Sequence, residues 1–355
     1  MRAMRLDHPG PPSDHLLQSV ALPVPSVPAG HVGVEVIACG VCRTDLQLAS
    51  GDLPARVLPI IPGHQVVGQV VVIGEGVPTQ RLGQYVGLAW LAEACGSCRF
   101  CRSGRENLCL DSHFTGWDVN GGYATYAVAN ADYAFDLGEL LGPAELGSPQ
   151  GSQPARTPAD VAPLLCGGVI GYRALRVAGV GPESVDMRLG LYGYGASARL
   201  VQQVANHWGV RTFVVTRSAA EISAARAAGA EWAGSYSQAP PEKLDAAITF
   251  APVGDVVISA LQALDRGGTV AVNAIHLDRV PQFNYDDLWW ERTIRSVANV
   301  TRTDVREFIS LVAAANITTE YEVLPLAAAN DALLRVDCGE VRGSFVLDCA
   351  ASDGP

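Results

Sequence analysis

The sequence predicts an α/β protein of two parts, a β-rich region followed by a parallel sheet with helices on both faces. Three observations carry that prediction. The first third holds short branched apolar runs cut by Pro and Gly, strand and helix signals alternate from about residue 161, and a glycine-rich turn joins one such strand to its helix. The 355 residues are enough for two separate cores, and 48% hydrophobic against 17% charged residues exclude a disordered chain.

Taken in order, residues 32–38 alternate loosely, residues 66–73 are almost continuously branched and apolar, and residues 86–91 form a third strand candidate. Residues 138–159 are rich in Gly, Pro, Ser and Gln (Gly147-Ser148-Pro149-Gln150-Gly151-Ser152) and read as a flexible surface loop. Beyond it come strands at 188–192, 211–216, 246–250 and 268–272, separated by helices at 196–208, 219–228 and 256–264. After about residue 295 the pattern is mixed again, with a helix at 305–314 and a last strand at 344–347.

A net charge of −11 argues against a nucleic-acid partner, which requires a basic face. No apolar run is long enough to span a membrane, and residues 1–10 hold no apolar signal core, so a cytoplasmic protein with no membrane partner is expected. Nine cysteines are an odd number, and four crowd one stretch, which points to metal in a reducing compartment and not to disulfides.

Those four are Cys95, Cys98, Cys101 and Cys109, within a lobe at 93–112. Gaps of two residues let neighbouring sulfurs reach one ion, and four thiolates close a tetrahedral zinc site with no place for water or substrate. Such a site is structural. Four buried free thiols are the plain alternative, and a nucleic-acid zinc ribbon is opposed by the acidity.

Two further segments are weak by themselves. Cys39-Gly40-Val41-Cys42-Arg43-Thr44-Asp45 offers a chelating pair on spacing, and Pro62-Gly63-His64-Gln65 holds a histidine of the kind more often found simply packed in a core. Gly193-Tyr194-Gly195-Ala196-Ser197-Ala198 lies between a strand and a helix. Its first two glycines allow a tight turn and close backbone approach, Ala198 allows near packing of helix on strand, and the helix start faces a pyrophosphate. This is the GxGxxA form of the Rossmann dinucleotide fingerprint.

In this order, over nearly the whole chain, these motifs resemble the zinc-dependent medium-chain alcohol dehydrogenases. The resemblance implies an inserted Rossmann cofactor domain at 161–296 and a discontinuous, GroES-like β-rich catalytic domain made from 1–160 and 297–355. It implies two zinc ions per chain. The structural one takes the four clustered cysteines, and the catalytic one takes Cys42, His64 and Cys166, leaving Cys39 a packed thiol. Two thiolates and a neutral imidazole leave a fourth position open, where the ion acts as a Lewis acid on a substrate oxygen. By the same resemblance Asp45 orients His64, Thr44 passes the substrate proton outward, Arg43 meets the cofactor pyrophosphate, and Asn273 and Ile275 end the strand beside the nicotinamide. Trp90, Leu91, Phe114 and Trp117 fall near the substrate channel, although ordinary buried aromatics fit them equally. If they line the site, small or aromatic alcohols are preferred to sugars.

Two positions depart from the family pattern. Gln65 stands where many relatives carry glutamate, and Gln47 stands where the proton-relay histidine often sits. An amide does not take up a proton at neutral pH. At the cofactor's ribose end, about 20 residues past the fingerprint, an NAD-specific chain normally presents an acid. Here the strand ends Val215-Thr216-Arg217-Ser218, resembling the pocket that NADP-preferring relatives offer a 2′-phosphate; a solvated strand-end arginine is the plainer alternative.

The expected function is hydride transfer between NAD(P)(H), with NADP preferred, and a small primary or aromatic alcohol or its carbonyl. The expected assembly is a homo-oligomer, dimer or tetramer. Rival readings are a same-fold reductase of C=C or C=N bonds and a non-catalytic zinc- and nucleotide-binding regulator.

Overall fold

The structure is a computed structural model that describes residues 1–142 and 156–350. It divides into two compact units, one of Met1–Cys166, Val300–Ala314 and Thr318–Pro355, the other of Gly167–Asn299 and Ala315–Ile317. Among the described residues no helix is long and apolar enough to cross a membrane.

The first unit is built on a seven-stranded sheet ordered Tyr321–Pro325, Ser344–Asp348, His31–Val41, Val66–Ile73, Tyr85–Leu88 and Ala134–Asp136, with Tyr126–Asn130 also pairing His31–Val41. Along His31–Val41, Val32, Val34 and Val36 are buried while Glu35 faces solvent, so the period of two turns the branched side chains inward. They meet Val66, Val70, Val86, Tyr123 and Leu347 in one core. The strand expected at 86–91 is two strands. Thr115 takes the carbonyls of Ala89 and Trp90, through Oγ1 at 2.9 Å and N at 2.8 Å, and the chain leaves the sheet there to pair Leu91–Glu93 with His113–Phe114.

The loop expected over 138–159 is also shorter than its composition suggests. Gly138–Leu141 and Pro158–Val161 are single helical turns. The second is held by a capping box in which Thr157 Oγ1 accepts from the Asp160 amide and Asp160 Oδ2 accepts from the Thr157 amide at 2.7 Å. Residues 147–152 lie outside the described residues.

The second unit is a six-stranded, wholly parallel sheet ordered Trp232–Gly234, Arg211–Val215, Arg188–Tyr192, Leu244–Thr249, Leu264–Val272 and Thr293–Ser296. Its central strands are buried on both faces: Leu189 and Leu191, Phe213 to Val215, and Ala246 to Ile248 are all buried. A parallel sheet requires this, because each crossover helix covers a face. The two outer strands, Trp232–Gly234 and Thr293–Ser296, were not expected from the sequence.

Candidate metal centres and cofactor site

The helix Arg43–Ser50 is defined by its ends. Cys42 is its N-cap, with Sγ accepting from the Thr44 amide at 3.3 Å, while Asp45 Oδ2 accepts from the Cys42 amide at 2.9 Å. Gly51, at φ 89°, closes the other end. A helix start favours negative charge, so the cap places a thiol where its thiolate is stabilised. The other oxygen of Asp45, Oδ1, accepts from the Gly63 amide at 3.2 Å and faces His64 Nδ1 at 3.1 Å. Gly63 sits at φ +95°, and a Cβ there would lie 2.3 Å from the Tyr123 ring, so only glycine lets the chain bring His64 down onto Asp45.

His64 Nε2 then stands 3.3 Å from both Cys42 Sγ and Cys166 Sγ. The last sulfur comes from the junction between the turn Ala162–Leu165 and the helix Gly167–Val177. The three ligand atoms lie within 4.8 Å of one another. A tetrahedral zinc with bonds of about 2.3 Å to sulfur and 2.0–2.1 Å to nitrogen separates such donors by roughly 3.6 Å, so the set fits that ion with a slight opening. Asp45, by holding Nδ1–H, leaves the Nε2 lone pair for the metal. The Cys42 thiol is pushed down to about 5, chiefly by the hydrogen bond from Cys166, whose own thiol is driven well up. Cys39 is buried beside Tyr123 and Gly63 and is not part of the cluster.

The second thiol cluster gathers Cys95, Cys98, Cys101 and Cys109. Sulfur separations of 3.9, 3.6 and 3.5 Å (Cys95–Cys101, Cys98–Cys101, Cys109–Cys95) bracket the roughly 3.8 Å that tetrahedral zinc imposes. The amides of Ser97 and Cys98, together with the Ser97 hydroxyl and Cys109, push the Cys95 thiol down to about 6. One residue of this lobe that the sequence does not advertise is Glu106. It is buried, and its Oε1 accepts from the Arg302 amide at 3.0 Å and faces Arg302 Nε at 3.4 Å, tying the lobe to a helix 196 residues away.

Around the first cluster, Thr44 is buried, Gln47 half-buried one turn further along the same helix, and Arg43 exposed, with Nη2 donating to the Val336 carbonyl at 3.3 Å. Gln65 is buried with its Nε2 unpaired. Trp90 lies 5.9 Å from the His64 ring and 5.1 and 5.9 Å from Phe114 and Trp117, so three of the four expected pocket residues form one aromatic wall reaching the cluster. Trp90 and Trp117 pack against a buried cluster of Leu91, Phe114 and Tyr133.

In the second unit Gly193, at φ 92°, donates its amide to Val215 O at 2.8 Å, and the helix Ala196–His207 begins at Gly195 without a side-chain cap. A Cβ on Gly195 would meet nothing within 4 Å, so the turn opens on free space, and Ala198 is wholly buried against the sheet. Uncapped amides beside an open glycine turn suit a pyrophosphate. Asn273 follows the Leu264–Val272 strand, its amide bonded to Thr249 O at 2.9 Å, and Ile275 is exposed.

Comparison with known proteins decides the family. Residues 28–139 match the family described as alcohol dehydrogenase GroES-like domain, and residues 199–314 match zinc-binding dehydrogenase. The chain is 42% identical over 353 residues to a protein of Mycobacterium tuberculosis named probable alcohol dehydrogenase AdhA, covering 98% of this chain and 97% of that one. The chain belongs to the zinc-dependent medium-chain alcohol dehydrogenase family. It is also 33% identical to an alcohol dehydrogenase of Geobacillus stearothermophilus, covering 91% and 93% of the two chains. In fold it matches a cinnamyl alcohol dehydrogenase of Sorghum bicolor at a TM-score of 0.85, with 22% identity and 99% and 98% coverage. A member of this family is an oxidoreductase acting on alcohols, with zinc and a nicotinamide cofactor.

At the end of the strand Arg211–Val215 the structure shows a residue that the sequence reading did not single out. Thr216 is buried, and its hydroxyl donates to the carboxylate of Glu221, in the first turn of the helix Ala219–Ala227. The strand end, which presents no acid of its own, thus meets a carboxylate from five residues further on. Arg217 is exposed and Ser218 is the helix N-cap.

Proposed function

We propose that this chain interconverts small primary or aromatic alcohols and their carbonyl compounds, with two zinc ions per chain and a preference for NADP(H). The unit of Met1–Cys166, Val300–Ala314 and Thr318–Pro355 is the catalytic domain and that of Gly167–Asn299 and Ala315–Ile317 the cofactor domain, so the first boundary lies after Cys166 and not at 160. The observation that carries the reading is the convergence of Cys42, His64 and Cys166 with Asp45 behind the imidazole: three ligands, not four, suit a site that must admit a substrate. A zinc ion held by Cys42, His64 and Cys166 would supply Lewis-acid chemistry for a substrate oxygen, and a nicotinamide bound in the cofactor domain would supply hydride-transfer chemistry. The chain's own residues do the rest. Asp45 fixes the imidazole, the aromatic wall of Trp90, Phe114 and Trp117 favours apolar substrates and excludes water, and the Thr44 hydroxyl both accepts and donates a proton. A panel of alcohols and aldehydes assayed with both cofactors tests this; turnover confined to enones or imines would favour the rival reductase.

After Thr44 the proton has no titratable carrier, because Gln47 occupies the next position. Alcohol oxidation is therefore expected to be slow near pH 7 and faster in alkali. Gln47→His is expected to raise the rate near pH 7 by up to roughly 10²-fold and to flatten the pH profile. A profile that overlays the wild type, with hydride transfer or proton loss limiting, removes position 47 from the relay.

NADP(H) preference rests on Arg217. A charge-assisted phosphate contact contributes on the order of 1.5–3 kcal/mol, so Arg217→Ala is expected to lower the NADPH/NADH ratio of kcat/KM by roughly 10- to 150-fold. An unchanged ratio would make the arginine a solvated side chain. The reading includes a homo-oligomer, dimer or tetramer. The exposed rings of Tyr285, Trp289 and Trp290, next in sequence to the outermost strand Thr293–Ser296, support it.

A further inference from the structure

Three adjacent parallel strands end side by side in the second unit, and each continues into a different loop at the carboxyl edge of the sheet. Arg188–Tyr192 leads into the Gly193 turn, Arg211–Val215 into Thr216-Arg217-Ser218, and Trp232–Gly234 into Ser235 and Tyr236. Backbone bonds lock the ends together: the Gly193 amide donates to Val215 O at 2.8 Å, and the Thr216 amide to Gly234 O at 3.0 Å. Ligands of open parallel sheets sit beyond such carboxyl ends.

Glu221 is folded back toward these strand ends. Ser218 caps the next helix by accepting from the Glu221 amide at 3.3 Å, which fixes the first turn. An acid at that position commonly reaches back to the amide of the cap residue. Here its carboxylate instead receives the hydroxyl of Thr216 at the strand end. Tyr236 feels both charges at these strand ends: burial and then the Glu221 carboxylate raise its phenol, and Arg217 lowers it. One acid and one base therefore act on the same phenol.

We propose that Glu221 is the ribose-selecting carboxylate of this chain, accepting from the 2′-hydroxyl of NAD(H) and opposing the 2′-phosphate that Arg217 attracts. The proposal rests on the reading that the cofactor's adenosine end lies at these strand ends. A carboxylate only accepts, so it suits a hydroxyl that donates and repels a phosphate that cannot. Glu221 then keeps NAD(H) usable and limits the NADP(H) preference. The sequence pattern at the strand end hides this, because it shows only the base.

Two fragments isolate the adenosine end, 5′-AMP with a free 2′-hydroxyl and 2′,5′-ADP with a 2′-phosphate. Each is titrated by calorimetry into the zinc-loaded wild type and into Glu221→Gln, which keeps the side chain's shape and hydrogen-bonding reach without its charge. The variant is expected to bind 2′,5′-ADP more tightly and 5′-AMP more weakly, moving their ratio by roughly tenfold at an unchanged melting temperature. An unmoved ratio, or equal weakening of both fragments, would show that Glu221 only partners Thr216 and would overturn the proposal alone. Failure of the wild type to bind either fragment would overturn the adenosine reading and the proposal with it.

Discussion

Cys42→Ser is expected to give a folded protein with essentially no turnover, whereas Cys98→Ser is expected to give a poorly folded one. The two thiols belong to clusters with different surroundings. Cys42 is an N-cap between Asp45 and His64, inside a unit whose core of Val32, Val34, Val36, Val66 and Tyr123 does not depend on it. Serine caps a helix as well as cysteine does, so the melting temperature is expected to fall by only a few degrees. The rate falls by at least roughly 10³-fold, because a Lewis acid contributes several kcal/mol to stabilising charge on oxygen. Cys98 sits in a lobe whose only regular elements are the short turns Arg99–Arg102 and Glu106–Leu108, and in so small a lobe metal binding is folding energy. A loss of a few kcal/mol there is expected to lower the melting temperature by roughly 10 °C. Circular dichroism melts beside activity per folded molecule decide it. A Cys98→Ser protein that melts like the wild type would remove the structural role.

Asp45→Asn carries the second large effect. The carboxylate meets three N–H groups with two oxygens: Oδ2 takes the Cys42 amide, and Oδ1 takes the Gly63 amide and His64 Nδ1. Asparagine has one acceptor oxygen, so its amino group must face at least one of these donors in a site that is almost fully buried. The imidazole then loses the partner that fixes its tautomer, and affinity for the metal at Cys42, His64 and Cys166 is expected to drop 10- to 100-fold or roughly so. Competition with a chelator of known affinity measures this without any assay of turnover. An affinity equal to the wild type would reduce Asp45 to a helix cap.

Much of this arrangement is legible in the residues. The strands Val66–Ile73 and Arg188–Tyr192 have the bounds their local apolar patterns predict, although Val71 and Val72 at the end of the first are exposed. Trp232–Gly234 and Thr293–Ser296 are short, and their extended form comes from pairing with Phe213 to Val215 and with Thr269 to Val272, which no local pattern records. The break at Ala89 and Trp90 has the same origin, because Thr115 imposes it from outside the strand. At the sites, spacing suffices for the four-cysteine cluster, where every sulfur lies within one short stretch. It does not suffice for Cys166, 102 residues from His64, which only the family resemblance brought forward. Glu106 and Glu221 escape notice for opposite reasons. The first finds Arg302 across 196 residues, and the second acts over five residues but through a helix turn that folds it back on Thr216. An acid in a first helical turn looks like a cap until its partner is seen.

One chain is expected to build two zinc sites of different kind, a closed one of four thiolates and an open one of two thiolates and an imidazole. Native mass spectrometry of the wild-type protein, purified with zinc and freed of loosely bound metal, tests it most directly. Two zinc ions per chain are expected. One ion or none would mean that at least one of the two clusters is not a zinc site.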